Sequence, residues 1–241
     1  MIEENNVVLP STQFSEGLRA YMLRVYNYMM AGLLVSASFA WIGTEDAVLR
    51  LMFKTTSNGT LAYSAIGWIV LLAPFVFVFL IHSSARNLNP MKAQIFFWIF
   101  SALNGLALSP FFFAFSKSSI TTAFLITAAM FAALSLYGYT TQRDLTSIGQ
   151  FAFVGLIGVI IAALINLFLG NGFLDFALSI ICVVIFTILI AYDTQKIRRI
   201  YQLSSSDRAV RTLSIIGALE LYLDFINLFL NILRLLNSRQ K

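Results

Sequence analysis

The stretch LSIIGALELYLDFINLFLNILRLL, residues 213–236, decides what kind of fold this chain adopts. At 1.5 Å per residue, a helix over this stretch is about 36 Å long, enough to cross the hydrocarbon core of a bilayer, which is about 30 Å thick. Glu220, Asp224, Asn227 and Asn231 interrupt it at spacings that place all four on one face of a helix. Because lipid cannot solvate such a polar stripe, the pattern predicts a helix at the centre of a bundle.

The composition of the rest of the chain agrees with a membrane protein. The 241 residues are 59% hydrophobic and 11% charged, whereas soluble domains are roughly 25% charged. A soluble protein of this size needs far more polar surface to cover one core. The composition therefore excludes a soluble enzyme, a nucleic-acid-binding domain and a disordered chain, and we expect the bilayer to be the main partner.

Uncharged intervals give the organisation of the chain. Upstream of residue 213 there are six such intervals, each 17 to 30 residues long, and a spanning helix needs about 20 apolar residues. We predict an all-α integral membrane protein in which residues 20–241 form one seven-helix bundle with the last helix central. A polar head, residues 1–19, precedes it and is expected to be poorly ordered. The spans are predicted near residues 25–43, 61–81, 93–115, 120–139, 149–169, 173–192 and 213–236.

Three carboxyl groups inside or at the end of the apolar segments carry the functional signal: Asp193, Glu220 and Asp224. A charge at the bilayer centre costs about 2.5–3.5 kcal/mol on insertion scales. Asp224 lies about 16 Å into its helix, too deep for a short side chain to reach the surface. The alternative for each acid is a neutralised group that only holds helices together. His82, the single histidine, is either a site residue or a polar cap at the end of the second span.

Two buried carboxyl groups in contact cannot both ionise easily, so such a pair shares a proton. Loss of that proton either opens the bundle or creates a cation site, and carboxylate oxygens suit hard cations such as Ca²⁺. Such a pair could form among Asp193, Glu220 and Asp224. The chain has no zinc, redox or nucleotide motif and a lone cysteine, Cys182, so we expect no resident cofactor.

Two acidic motifs resemble those of the Bax inhibitor-1 (TMBIM) family, most closely its bacterial inner-membrane members. They are Ala-Tyr-Asp-Thr-Gln-Lys at 191–196 and Leu-Tyr-Leu-Asp-Phe-Ile-Asn-Leu-Phe at 221–229. Further matches are Gly-Leu-Ala-Leu-Ser-Pro at 105–110 and Thr-Thr-Gln-Arg-Asp-Leu at 140–145. The resemblance covers nearly the whole chain from about residue 18.

The resemblance implies a seven-helix bundle and a pH-sensitive Ca²⁺ leak gated by a pair of aspartates. These correspond here to Asp193 and Asp224, which are therefore the candidate Ca²⁺ ligands. Some bacterial relatives also have a span-two arginine that latches the first acid. His82 falls near that position and Arg86 lies one turn beyond, so both are candidate latches. Glu220 and Asn227 are candidate accessory residues.

Three functions are compatible with these sequence features. The first is a proton-gated Ca²⁺ or cation leak. The second is a non-transporting membrane module that regulates other membrane proteins, such as a membrane protease. The third is an intramembrane aspartyl protease, which two aspartates on adjacent helices would suit. The third is disfavoured because no glycine turn precedes Asp224, and we expect the protein not to be an enzyme.

Orientation follows from the basic residues near span ends, because cytoplasmic loops are enriched in Lys and Arg. With the N-terminus inside, ten basic residues lie in inside segments and six in outside segments. This bias predicts a cytoplasmic N-terminus. The basic residues after the last span leave a re-entrant last helix as an alternative.

Cysteine labelling tests the orientation. In a chain with Cys182 replaced, a cysteine at Ser57 should react with an impermeant thiol reagent from outside the cell, and one at Ser205 only from inside. The reverse pattern would reject a cytoplasmic N-terminus.

Overall fold

The structure, a computed structural model, describes residues 11–55, 61–86, 88–204 and 206–238. These residues form nine helices and a short antiparallel hairpin, in which Phe53 pairs with Tyr63. The helices are α1 (Ser11–Ile42), α2 (Asp46–Met52), α3 (Ala65–Arg86), α4 (Pro90–Leu108), α5 (Phe111–Ala114), α6 (Lys117–Thr140), α7 (Thr146–Leu169), α8 (Gly172–Gln202) and α9 (Asp207–Ser238). The strands are β1 (Phe53–Thr55) and β2 (Leu61–Tyr63).

Within the described ranges, seven helical segments are long and apolar enough to cross a membrane. They are α1, α3, α4 continued through α5, α6, α7, α8 and α9. The predicted all-α, seven-span membrane bundle is confirmed. In addition, α9 is a single uninterrupted helix of 32 residues, so its two ends lie on opposite sides of the bundle.

The structure corrects several predicted boundaries. Residues 11–19, assigned to a poorly ordered head, are the start of helix α1, while residues 1–10 lie outside the described residues. The second span was expected from residue 61, but 61–63 form strand β2 and the helix begins at Ala65. The third span is broken between α4 and α5. The sixth span continues ten residues beyond the expected end at residue 192, to Gln202.

Local signals explain where the helices begin and end. Asn89 caps α4 by accepting a hydrogen bond from the Lys92 amide (3.1 Å), and Pro90 occupies the first helical turn. Asn171 caps α8 by accepting from the amides of Phe173 and Leu174. Gly170 ends α7 with a φ of 62°, the left-handed conformation that glycine adopts without strain.

Helix α9 is the most enclosed of the seven spans. In its most apolar stretch 61% of the residues are buried, against at most 33% in the other spans. It packs against α8, α1, α6, α4 and α3. The buried Tyr222 hydroxyl is 2.7 Å from Ser36 Oγ on α1 and accepts a 2.7 Å hydrogen bond from Asn104 on α4. Polar contacts of this kind tie α1, α4 and α9 together in the interior of the bundle.

Glycine allows α6 and α8 to approach at backbone distance. A Cβ atom at Gly138 of α6 would lie 2.2 Å from the carbonyl oxygen of Ala191 on α8. The same addition at Gly158 of α7 would meet nothing within 4 Å. The two helical glycines therefore form a matched pair, one in close contact and one in open space.

Gly138→Ala should destabilise the purified protein in detergent by about 1–3 kcal/mol, because backbone atoms must separate to admit the methyl group. Gly158→Ala should be neutral, or stabilising by up to about 1 kcal/mol through helix propensity. Thermal unfolding of both variants checks this. Equal melting temperatures would contradict the close α6–α8 packing.

Candidate functional site

The length of α8 is what brings the two aspartates together. Asp193 was expected at the end of the sixth span, where it could meet Asp224 only if that span continued past Tyr192 or the seventh helix began deeper. Since α8 runs on to Gln202, Asp193 lies well inside it and opposite α9. The carboxyl groups of Asp193 and Asp224 lie within hydrogen-bonding reach of each other. Asp224 is 5% exposed, so this contact lies in the interior of the bundle.

Lys196 completes the cluster with a positive charge. Its Nζ donates a 2.8 Å hydrogen bond to Glu220 Oε1 and lies 3.6 Å from Asp193 Oδ1. The Asp193 and Glu220 side chains are mostly buried, whereas 37% of the Lys196 side chain is exposed. The ammonium group therefore closes the cluster on the side nearest the end of α8.

Three oxygen atoms in this region are buried without a hydrogen-bond partner among the described residues: Asp224 Oδ2, Glu220 Oε2 and the Tyr21 hydroxyl. A buried polar atom without a partner is costly, by about 1–3 kcal/mol. A proton on one carboxyl group supplies a donor for another, and water supplies more. A cavity of about 710 Å³ lies beside the cluster and is lined by Asp193, Lys196, Glu220, Asp224 and Asn227, among others. The space needed for such water is therefore present.

The neighbours of Asp193 in the 191–196 motif hold α8 in place. The Thr194 hydroxyl is 3.1 Å from Ser135 on α6, and Ser135 is in turn 2.6 Å from the Tyr26 hydroxyl on α1. Ala191 makes the close contact with Gly138, and the ring of Tyr192 packs over Gly149 at the start of α7. These contacts fix the rotation of α8, and with it the direction of Asp193.

Gln195 binds the loop between α6 and α7. Its Nε2 donates a 2.8 Å hydrogen bond to the Arg143 carbonyl, and its Oε1 accepts a 3.0 Å hydrogen bond from the Leu145 amide. In the same loop Asp144 accepts hydrogen bonds from Thr146 and from Arg199, the latter at 3.0 Å. These bonds hold the pKa of the exposed Asp144 carboxyl at about 2, below its usual value of 3.8.

The other predicted site residues fall in different places. His82 is exposed, and its Nδ1 lies 2.9 Å from the Val78 carbonyl one turn earlier in α3, so its ring faces its own helix. Arg86 ends α3, and its side chain lies outside the described part of the structure. Asn227 donates a 2.8 Å hydrogen bond to the Leu223 carbonyl and lines the same cavity as the acids. The structure thus groups Asn227, but not His82, with the aspartates.

No set of three or more His, Cys, Asp or Glu side chains in the described ranges is arranged to hold a metal ion. The ammonium of Lys196 instead contacts two of the three carboxyl groups. One positive charge therefore lies among the three carboxyl groups of the cluster and offsets part of their negative charge.

Sequence reasoning missed Lys196 and Tyr21. Lys196 was interpreted as part of a basic helix end, although its spacing of three residues from Asp193 places both on one helix face. Tyr21 is 2% exposed and its hydroxyl has no partner among the described residues. It lies on α1, in a segment where nothing in the sequence indicates proximity to α9.

Fold and site together define a polytopic α-helical membrane protein with acidic side chains clustered between its last two helices. A family model described as inhibitor of apoptosis-promoting Bax1 matches residues 18–241. The chain belongs to this family, the Bax inhibitor-1 family, which confirms the resemblance seen in the sequence.

Relatives match the chain over nearly all of its length. Inner membrane protein YbhL of Escherichia coli K12 is 41% identical over 227 residues, which are 93% of this chain and 94% of YbhL. Protein RP147 of Rickettsia prowazekii is 44% identical over 229 residues, 94% of this chain and 93% of the relative. A membrane protein of Streptococcus pyogenes serotype M1 is 36% identical over 224 residues, with 93% and 95% covered.

A double-mutant cycle tests the Lys196–Glu220 contact. Lys196→Met and Glu220→Gln should each destabilise the protein, and the double variant should lose less than the sum, with a coupling free energy of about 1–2 kcal/mol. Unfolding by SDS in mixed micelles measures the cycle.

The matched control is the cycle for Arg199→Gln and Asp144→Asn, an exposed pair whose coupling should be smaller because solvent screens it. Additive effects at Lys196 and Glu220 would show that the cluster does not depend on this ion pair.

Proposed function

We propose that this protein is a cation leak that conducts Ca²⁺ and is held closed by a proton shared between Asp193 and Asp224. The observation that carries the proposal is the contact between these two carboxyl groups, one on α8 and one on α9. With one proton between them, the two groups form a hydrogen bond and a single negative charge. The closed bundle is the packing that permits this bond.

Loss of the shared proton reverses the interaction. Two carboxylates in contact inside the bundle repel each other strongly, because the local dielectric constant is lower than that of bulk water. They separate or recruit a cation, and either outcome changes how α8 packs on α9. Carboxylate oxygens are suitable ligands for Ca²⁺. Conduction should therefore be low at mildly acidic pH and rise as the pH rises.

Other charged and titratable groups face the pair. Glu220 lies one turn from Asp224 on α9, Lys196 and Tyr192 lie on α8 beside Asp193, and Tyr21 approaches from α1. Of the described basic groups, Lys196 contacts Asp193, and we propose that it performs the latching role for which His82 and Arg86 were candidates. Its charge also favours the ionised form of the acids, which limits how firmly the pair holds its proton.

The protein is proposed to act in a bacterial inner membrane, with its N-terminus in the cytoplasm. The printed name of YbhL supports the membrane, and the distribution of basic residues supports the orientation. On this orientation the acid cluster lies toward the cytoplasmic end of the bundle. The protease alternative is disfavoured further, because α9 is helical through Asp224 and leaves no extended backbone beside the acid to bind a peptide substrate.

Ca²⁺ flux into dye-loaded liposomes, measured from pH 5 to pH 8, tests the proposal. Asp224→Asn should abolish the pH response because an amide does not titrate. Asp193→Asn should do the same and leave a constitutive leak, since it also removes the partner of Lys196. Glu220→Gln should change the profile less, because Glu220 lies one turn from Asp224 and its carboxylate is held by Lys196.

Asp144→Asn is the matched control, since it removes a carboxylate in the loop beside the start of α7. The low pKa of Asp144 means that its contribution to stability is complete above the unfolded value near 3.8 and is lost only as the pH falls toward about 2. It therefore does not titrate between pH 5 and pH 8, and this variant should keep the wild-type profile. If both aspartate variants also keep it, the regulatory module that transports nothing becomes the better interpretation.

A further inference from the structure

Helix α7, the least buried of the seven spans, lies beside two cavities. Only 11% of the most apolar stretch of α7 is buried, the lowest share of the seven spans, and α7 packs chiefly on α8. Two cavities lie between α7, α8 and α9. The acid cavity is the 710 Å³ space beside Asp193 and Asp224. The amide cavity, of about 740 Å³, lies toward the other end and is lined by Asn166, Asn231 and Asn237 with Asp175 and Arg234.

The two cavities follow one another along the same three helices. On α9 the acid cavity ends at Asn227 and the amide cavity begins at Asn231. On α8 the corresponding residues are Phe186 and Cys182. In each case the step is four residues, about 6 Å along a helix. Measured on α9 from residue 220 to residue 237, the two cavities together extend about 26 Å, most of the hydrocarbon thickness of a bilayer.

We propose that the cation route runs through these two cavities, between α7 and α9, with an apolar constriction where they meet. Phe186, which is 5% exposed, and Val159, which is 9% exposed, supply the apolar side chains at that level together with Leu156. A constriction of this kind excludes water and ions until its walls move apart. This inference rests on the proposed leak function and names the path that the cation takes.

The chemistry of the lining favours this route over a second large groove among the described residues. Carboxylate oxygens line one end of the route and amide oxygens the other, and both are suitable ligands for a hard cation. At the far mouth Asp175, whose carboxylate accepts a hydrogen bond from Asn166 Nδ2, lines the same cavity as Arg234. The second groove, of about 620 Å³ between α1 and α6, has no acidic and no amide side chain among its lining residues. Acyl chains suit that groove, whereas a cation does not.

Cys182 serves as a native reporter, because it is the single cysteine of the chain and lines the amide cavity. A membrane-impermeant, cationic methanethiosulfonate reagent, applied to both faces of proteoliposomes, should modify Cys182 and reduce Ca²⁺ flux. Cys182→Ser should conduct and be insensitive to the reagent. In that background a cysteine at Asn231 should restore the sensitivity, whereas one at Met30, in the α1–α6 groove, should not. Mass spectrometry reports modification independently of flux.

The size of the side chain at position 186 tests the constriction. Phe186→Leu should raise the flux several-fold at the pH where the leak is open, and Phe186→Trp should lower it. Phe124→Leu, an equal reduction in the α1–α6 groove, is the matched control and should leave the flux unchanged.

The outcomes separate the two proposals. Wild-type protein that conducts no cation at any pH overturns the leak function and the route with it. If the protein conducts Ca²⁺ but the flux changes neither on modification of Cys182 nor with the size of residue 186, the route is overturned and the leak function is not. If the thiol reagent reduces the flux in the Met30→Cys variant and not in the variants with a cysteine at 182 or 231, the path lies in the α1–α6 groove and the proposed route is overturned.

Discussion

The burial of acidic side chains between α8 and α9 is the constraint on which the rest of the structure depends. In a bilayer the charge of Asp224 can be satisfied only by protein, by trapped water or by a proton. A helix that carries this group in its middle must therefore be surrounded by other helices. The enclosure of α9, the internal ammonium of Lys196 and the tight helix contacts on either side are all consistent with this requirement.

Sequence alone could predict the architecture because the bilayer imposes a simple rule on length and charge. Uncharged intervals located six of the spans, and the apolar stretch 213–236 with its polar stripe indicated the seventh. The main error was the end of α8. Asp193 was treated as the boundary of an apolar segment, although Lys196 contacts both Asp193 and Glu220 inside the bundle. A rule that counts charges one by one cannot recognise charges that are paired in three dimensions.

The candidate site was predictable in part for the same reason. Asp193, Glu220 and Asp224 stand out because acids are rare in apolar segments, and the structure brings all three together. Tyr21 and the cavities beside α7 depend on how distant segments pack, which no local pattern encodes. His82 is the opposite case. It stands out in the sequence as the single histidine, but its ring lies within hydrogen-bonding distance of a carbonyl of its own helix and does not join the acids. The hairpin of β1 and β2 and the break after α4 are also products of tertiary packing.

The 191–196 motif gains a physical explanation from its contacts. Ala191 and Thr194 face α6, Tyr192 faces α7, and Gln195 holds the loop before α7. Such a segment tolerates little change, because one substitution alters the rotation of α8 and therefore the direction of the Asp193 carboxyl group. A short motif can thus specify the arrangement of four helices.

The backbone contact between Gly138 and Ala191 couples the movements of α6 and α8. It leaves no compressible side chain between these two helices, and Gln195 ties the loop leading into α7 to α8. A displacement that carries Asp193 away from Asp224 must therefore carry α6 and the start of α7 with it. It must also break the contacts among Thr194, Ser135 and Tyr26, or move α1 as well.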